Sequence, residues 1–177
     1  MKNLSKLIAV AFTASALFLS TNVKAQTSGN HDWRFGIGAE VAVPTGQEHD
    51  QSNIAVGGTA RLQYGLSPTV ALTLTSGFID ILGKENPNDP NGGKYLSIPI
   101  VPVKVGIKDF VSQNVYLGLE GGAGFVTNNG NVKVIGAPAI GYASKSWDVA
   151  LHYDQYFGTY QFGTLGLRLA YAFPLSK

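Results

Sequence analysis

Acid–base chemistry in this 177-residue chain would have to come from three histidines, His31, His49 and His152, because there is no cysteine at all. His152 has carboxylates within reach. If the stretch from Trp147 to Asp154 is extended, Asp148, Ala150, His152 and Asp154 share one face, and Trp147, Val149, Leu151 and Tyr153 share the other. A base beside an orienting carboxylate is the start of a hydrolytic triad. A His-x-Ser element would supply the nucleophile, but Tyr153 and Asp154 follow His152. His152 is therefore read as a histidine held in a polar interior, and no catalytic residue is assigned. Thiolate metal sites and cysteine nucleophiles are excluded by composition. The acidic and amide groups between Asp80 and Lys94 lack the alternating oxygen ligands of an EF-hand loop, so they read as turn chemistry. Gly36-Ile37-Gly38 and Gly121-Gly122-Ala123-Gly124 lack dinucleotide-binding spacing. Neither a metal nor a cofactor is expected.

The element that positions these residues is an alternating strand, and the pattern recurs eight times. It is clearest in the last one, from Thr164 to Phe173. There Leu165, Leu167, Leu169, Tyr171 and Phe173 alternate with Thr164, Gly166, Arg168, Ala170 and Ala172. A large apolar face opposed to a face of small residues and one arginine suits a barrel turned outward to lipid around a crowded lumen. Strands are expected over 33–43, 54–64, 69–78, 95–107, 115–126, 132–142, 147–154 and 164–173. Pro99 and Pro102 predict a bulge that shifts the alternation locally, and residues 108–114 read as a connection. Segments 45–53, 80–94, 127–131 and 157–162 should gather at one end, with the short turns and both termini at the other. The predicted fold is all-β, an eight-stranded antiparallel up-and-down transmembrane β-barrel.

Segregation of charge supports that reading. The outward faces of these strands carry no Lys, Arg, Asp or Glu. The inward faces carry Arg34, Glu40, Arg61, Lys104, Glu120, Lys133, Asp148, Asp154 and Arg168. A basic residue facing lipid at mid-depth costs roughly 2–4 kcal/mol, so the separation has a physical cause. Aromatics fall at strand ends, as an interfacial girdle requires: Trp33, Phe35, Tyr64, Tyr142, Trp147, Tyr171 and Phe173 at one rim, and Phe78, Tyr95, Phe125, Tyr153 and Phe157 at the other. A soluble barrel would turn these residues inward and its charges outward.

Residues 1–25 have the order of an export signal: Lys2 and Lys6, an apolar run from Leu7 to Leu19, then Val23-Lys24-Ala25 before Gln26. Cleavage there leaves a single domain over 26–177. The whole chain carries 13 basic and 11 acidic residues. With Lys2, Lys6 and Lys24 removed the balance turns slightly negative, and no nucleic-acid partner is expected.

Tyr95-Leu96-Ser97-Ile98-Pro99 ahead of Lys104, a Gly-rich second strand running into Tyr64-Gly65-Leu66-Ser67, and a closing strand that ends at Phe173 carry a resemblance. From Trp33 to Phe173 the chain resembles the small eight-stranded outer-membrane β-barrel domain proteins of the OmpA and PorT-like type. The resemblance implies a monomer in outer-membrane lipid, exported through its cleaved signal. It also implies a structural or surface-interaction role and loops open to an extracellular ligand or surface partner. A narrow porin-like channel for small solutes is the second reading. A lipid-modifying enzyme is the third, although lipid A deacylases share the chain's size and not its sequence around His152.

An eight-stranded lumen is just wide enough for its own side chains, so the inward charges must meet one another. The expected network comprises Arg168, Glu120, Glu40, Arg61, Lys104, His152 and Asp154, centred on Arg168 paired with Glu120 or Glu40. Gly166→Ser, facing inward, is expected to be milder than Leu167→Arg, facing out.

Overall fold

The computed structural model describes residues 31–46, 51–87, 93–158 and 161–175. The expected signal segment with its cleavage point lies outside the described residues, as does His49. Eight strands form where the period of two was read: β1 (Trp33–Thr45), β2 (Ser52–Gly65), β3 (Val70–Gly83), β4 (Ile98–Phe110), β5 (Val115–Val126), β6 (Val132–Ala143), β7 (Trp147–Phe157) and β8 (Phe162–Pro174). Each is antiparallel to the next, and β8 returns to β1 to close the sheet. Closure leaves no strand edge with unpaired backbone groups. Along that seam Glu40 stands opposite Arg168 and Phe35 opposite Phe173.

Alternation is realised strand by strand. On β8, Leu165, Leu167, Leu169 and Tyr171 are exposed, while Thr164, Gly166, Arg168 and Ala170 are buried. The outer surface is covered by exposed apolar side chains such as Ile37, Leu74, Val105, Ile140 and Leu151. At the rim that carries both strand termini, Trp33 packs on Tyr64 at 4.7 Å and Trp147 on Tyr171 at 5.2 Å between ring centroids.

Several expectations are corrected. β3 continues beyond Phe78 to Gly83, so Asp80 shares the face of Phe78 and Leu82. Asp109 lies on the outward face of β4. The outward faces are thus not free of charge; among the described residues they carry one carboxylate near each end. Strands of 11 to 14 residues reach or exceed the roughly 9–11 needed to cross a hydrocarbon core, so the ends of the longer ones reach the polar interface. β4 begins at Ile98, leaving Tyr95 outside the strands. Pro99 and Pro102 make no bulge: Pro99 stands opposite Asp80 and Pro102 opposite Gly124, with the pleat unbroken. A proline removes one N–H donor without changing which face the next residue takes. The register shift against β3 falls instead between Ser52 and Ile54. Lys108, assigned by sequence to a connection, lies inside β4 and is buried in the lumen.

The interior has three layers. At the loop end Ile79, Ile81, Ile100, Val126 and Ile135 form an apolar layer, with Tyr156 and Phe162 stacked 4.6 Å apart. Phe110, Tyr116, Ala143 and Ala150 cluster at the opposite end. The charges fill the space from the first cluster down to the second, where Lys108 and Asp148 touch Tyr116.

Candidate functional site: the charged lumen

The buried ionisable groups of this middle layer are Arg61, Lys104, Lys108 and Arg168 against Glu40, Glu120, Asp148 and Asp154, with His152 among them. Four cations thus face four carboxylates. Each side chain is inward because its strand alternates; the four cations and four carboxylates are each tied to a residue on another strand, and His152 to Asp154 on its own.

Glu120, from β5, is the most heavily bonded carboxylate. Its Oε1 accepts from Arg61 Nη2 at 2.7 Å, from Thr75 Oγ1 at 2.9 Å and from Thr73 Oγ1 at 3.3 Å. Lys104 Nζ lies 3.5 Å from its Oε2. Lys104 also donates to Asp154 Oδ2 at 3.0 Å, and His152 Nδ1 lies 3.0 Å from Asp154 Oδ1. Below this chain of contacts Lys108 is paired with Asp148, whose Oδ1 accepts from the Tyr116 hydroxyl at 2.8 Å. Lys108 Nζ sits 4.1 Å from the centroid of the Tyr116 ring.

Arg168 completes the layer. Its Nε donates to Thr59 Oγ1 at 2.9 Å and stands 3.6 Å from Glu40 Oε1, and its Nη1 is 3.8 Å from Asp148 Oδ1. All seven residues singled out from the sequence therefore line the lumen. The Arg168–Glu120 contact does not form, because Arg61 and Lys104 reach Glu120 first. The face a residue takes does not fix its level, because closing a tilted barrel staggers the strands and moves each side chain along the axis. Asp148 and Lys108 are members that the expected network omitted. Asp148 was visible by alternation; Lys108 was hidden by the assumed end of β4. Lys133 lies apart, 5.3 Å from the centroid of the Phe162 ring at the loop end.

His152 is packed rather than presented. Its Nε2 is buried and has no hydrogen-bond partner among the described residues. A Cβ on Gly166 would stand 2.5 Å from His152 Cε1, 2.6 Å from Nε2 and 3.1 Å from Ala42 Cβ. Gly166 therefore makes room for the imidazole, which Asp154 holds in place. Gly166→Ser is therefore not neutral, although its cost should stay below that of Leu167→Arg. The substitution should cost about 1–3 kcal/mol through overpacking, read as a lower urea midpoint for the refolded protein. An unchanged midpoint would show that the ring has room to move.

No protein-family model matches this sequence, and no curated protein matches it. Solved structures with the same fold do. The crystal structure of Ail, the attachment invasion locus protein of Yersinia pestis, aligns over 82% of this chain and 100% of its own at 12% identity, with a TM-score of 0.58. The backbone structure of Ail in a phospholipid bilayer nanodisc covers 81% of this chain and 100% of that one at 12% identity, with a TM-score of 0.55. A de novo designed transmembrane β-barrel covers 84% and 100% at 17% identity, with a TM-score of 0.53. At such identities the likeness shows the fold: this chain is an eight-stranded antiparallel barrel of the transmembrane kind.

Proposed function

We propose that this protein is an integral outer-membrane barrel, exported through a cleaved signal at residues 1–25, with a closed lumen and a structural or surface-interaction role in place of catalysis. One observation carries this reading: the charge lies inside, cross-linked from strand to strand, while the surface between the aromatic rims is apolar. Such an exterior is stable only against lipid. The apolar cluster at the loop end and the paired charges along the lumen support a closed interior over a path for solutes. Outer-membrane lipid is then the principal partner of a monomeric barrel. The connections at the loop end, including Lys94 and the 86% exposed Leu96, are where an extracellular ligand would engage. Ail has been solved in complex with the heparin analogue sucrose octasulfate, and by analogy the loop end here is a surface for a partner outside the cell.

Two measurements test the proposal together. In planar bilayers the purified protein should give no steady current. Leu96→Cys should react with a membrane-impermeant maleimide on intact cells, whereas Ser112→Cys, exposed in the turn between β4 and β5, should react only after lysis. A sustained ohmic current would replace the closed lumen with a channel for small solutes. Labelling of Ser112→Cys on intact cells would reverse the orientation.

A further inference from the structure

Arg168 is the most deeply buried charge, 1% exposed, yet its hydrogen-bonding capacity is only partly used. Among the described residues neither Nη1 nor Nη2 has an acceptor. Asp148, 3.8 Å from Nη1, is already engaged by the Tyr116 hydroxyl and by Lys108. Glu40 stands on the Nε side of the guanidinium. Buried donors without acceptors are costly, more so when charged.

Arg168 lines a small cavity near the end of the barrel where β1 begins and β8 ends, together with Arg34, Arg61, Gln63 and Asp148. Gly36, Ala170 and Ala172 complete the lining and keep it open by their small size. Arg34 donates to the carbonyls of Ser144 and Lys145, tying the β6–β7 turn over this end. Three guanidiniums and one carboxylate give the lining an excess of positive charge. A volume of about 20 Å³ for the centre of a water-sized particle holds roughly one such particle. It is too small to enclose sulfate, phosphate or an organic acid. A water there would find donors in excess and, as its carboxylate acceptor, an Asp148 already engaged twice. A monatomic anion accepts from every guanidinium at once.

We propose that this cavity binds one small inorganic anion of chloride size, held by Arg168 and Arg61, and that the anion completes the hydrogen bonding of the charge layer. The site stands on the lumen geometry and does not require that the barrel have any particular partner outside the cell.

The test compares urea unfolding of the protein refolded in zwitterionic vesicles, in sodium chloride, sodium bromide and sodium gluconate at matched ionic strength. Gluconate is too large to enter. At a chloride concentration ten times its dissociation constant, the unfolding equilibrium constant should fall about tenfold relative to gluconate, and bromide should act likewise. In Ala172→Leu, which fills the cavity with a larger apolar side chain, the difference between salts should vanish. Crystals grown in bromide should show an anomalous peak beside Arg168 Nη1 and Nη2, a readout that needs no variant to fold. Equal unfolding in chloride and gluconate would overturn the proposal, as would a chloride effect that survives in Ala172→Leu. Density in the cavity without a bromide signal would assign it to water and overturn the anion.

Discussion

Replacing Glu120 with Gln should destabilise the folded barrel by about 3–5 kcal/mol, the range for removing one partner from a buried ion pair. The amide keeps the shape and some hydrogen bonds but leaves Arg61, at 2.7 Å, and Lys104, at 3.5 Å, without their shared countercharge. Arg61→Met combined with Glu120→Gln should cost clearly less than the sum of the two single changes. Neighbours in one network commonly show coupling of about 0.5–3 kcal/mol. Arg168→Met with Glu120→Gln should couple less, since Arg168 is turned to Glu40, Asp148 and Thr59. Urea unfolding in lipid vesicles reads each cycle. Equal coupling in the two cycles would mean that the lumen behaves as a diffuse charge cloud without discrete pairs.

The second large effect lies on the other side of the same wall. Leu167 is 47% exposed in mid-strand, beside Val41 on β1 and Leu151 on β7. Leu167→Arg should lower stability in bilayers by about 2–4 kcal/mol, because a guanidinium there must be drawn through hydrocarbon or drag water to itself. Gly118→Ser is a suitable inward control: the nearest atom to an added Cβ is 3.5 Å away, an ordinary contact. Its cost should be well below that of Leu167→Arg. Equal losses in a bilayer would contradict the assignment of this face to lipid.

Period-two alternation made most of the fold legible. On β1, β2, β5, β7 and β8 one face is large and apolar and the other small or charged, so inside and outside could be separated without coordinates. The misplacements cluster where that contrast fades. Ile79, Ile81, Ile100 and Ile135 are inward and apolar, against the rule that apolar means lipid, because they pack on one another in a hydrophobic cluster at the loop end of the lumen. Their neighbours were accordingly read as loop or bulge, and the true extent of β3 was missed. Lys108 was lost in the same way, since a charge near a turn reads as a surface residue when the strand is ended three residues early. Membership of the charge layer followed from parity alone. Partner choice did not, because it depends on stagger, and stagger is set by the register of all eight strand pairs together.

The pairs of the charge layer span wide intervals of chain: Arg61 on β2 holds Glu120 on β5, Lys104 on β4 holds Asp154 on β7, and Glu40 on β1 meets Arg168 on β8. A hairpin inserted on its own would thus carry unpaired charges into the bilayer, and its counterions would arrive only with strands made much later. Partly built intermediates are penalised in proportion to what is missing, which favours all-or-none assembly over strand-by-strand insertion. Contacts so distant in sequence also make formation slow. The same interlocking obstructs the reverse path, so persistence in the membrane would rest on the height of the barrier to opening as much as on the depth of the folded well.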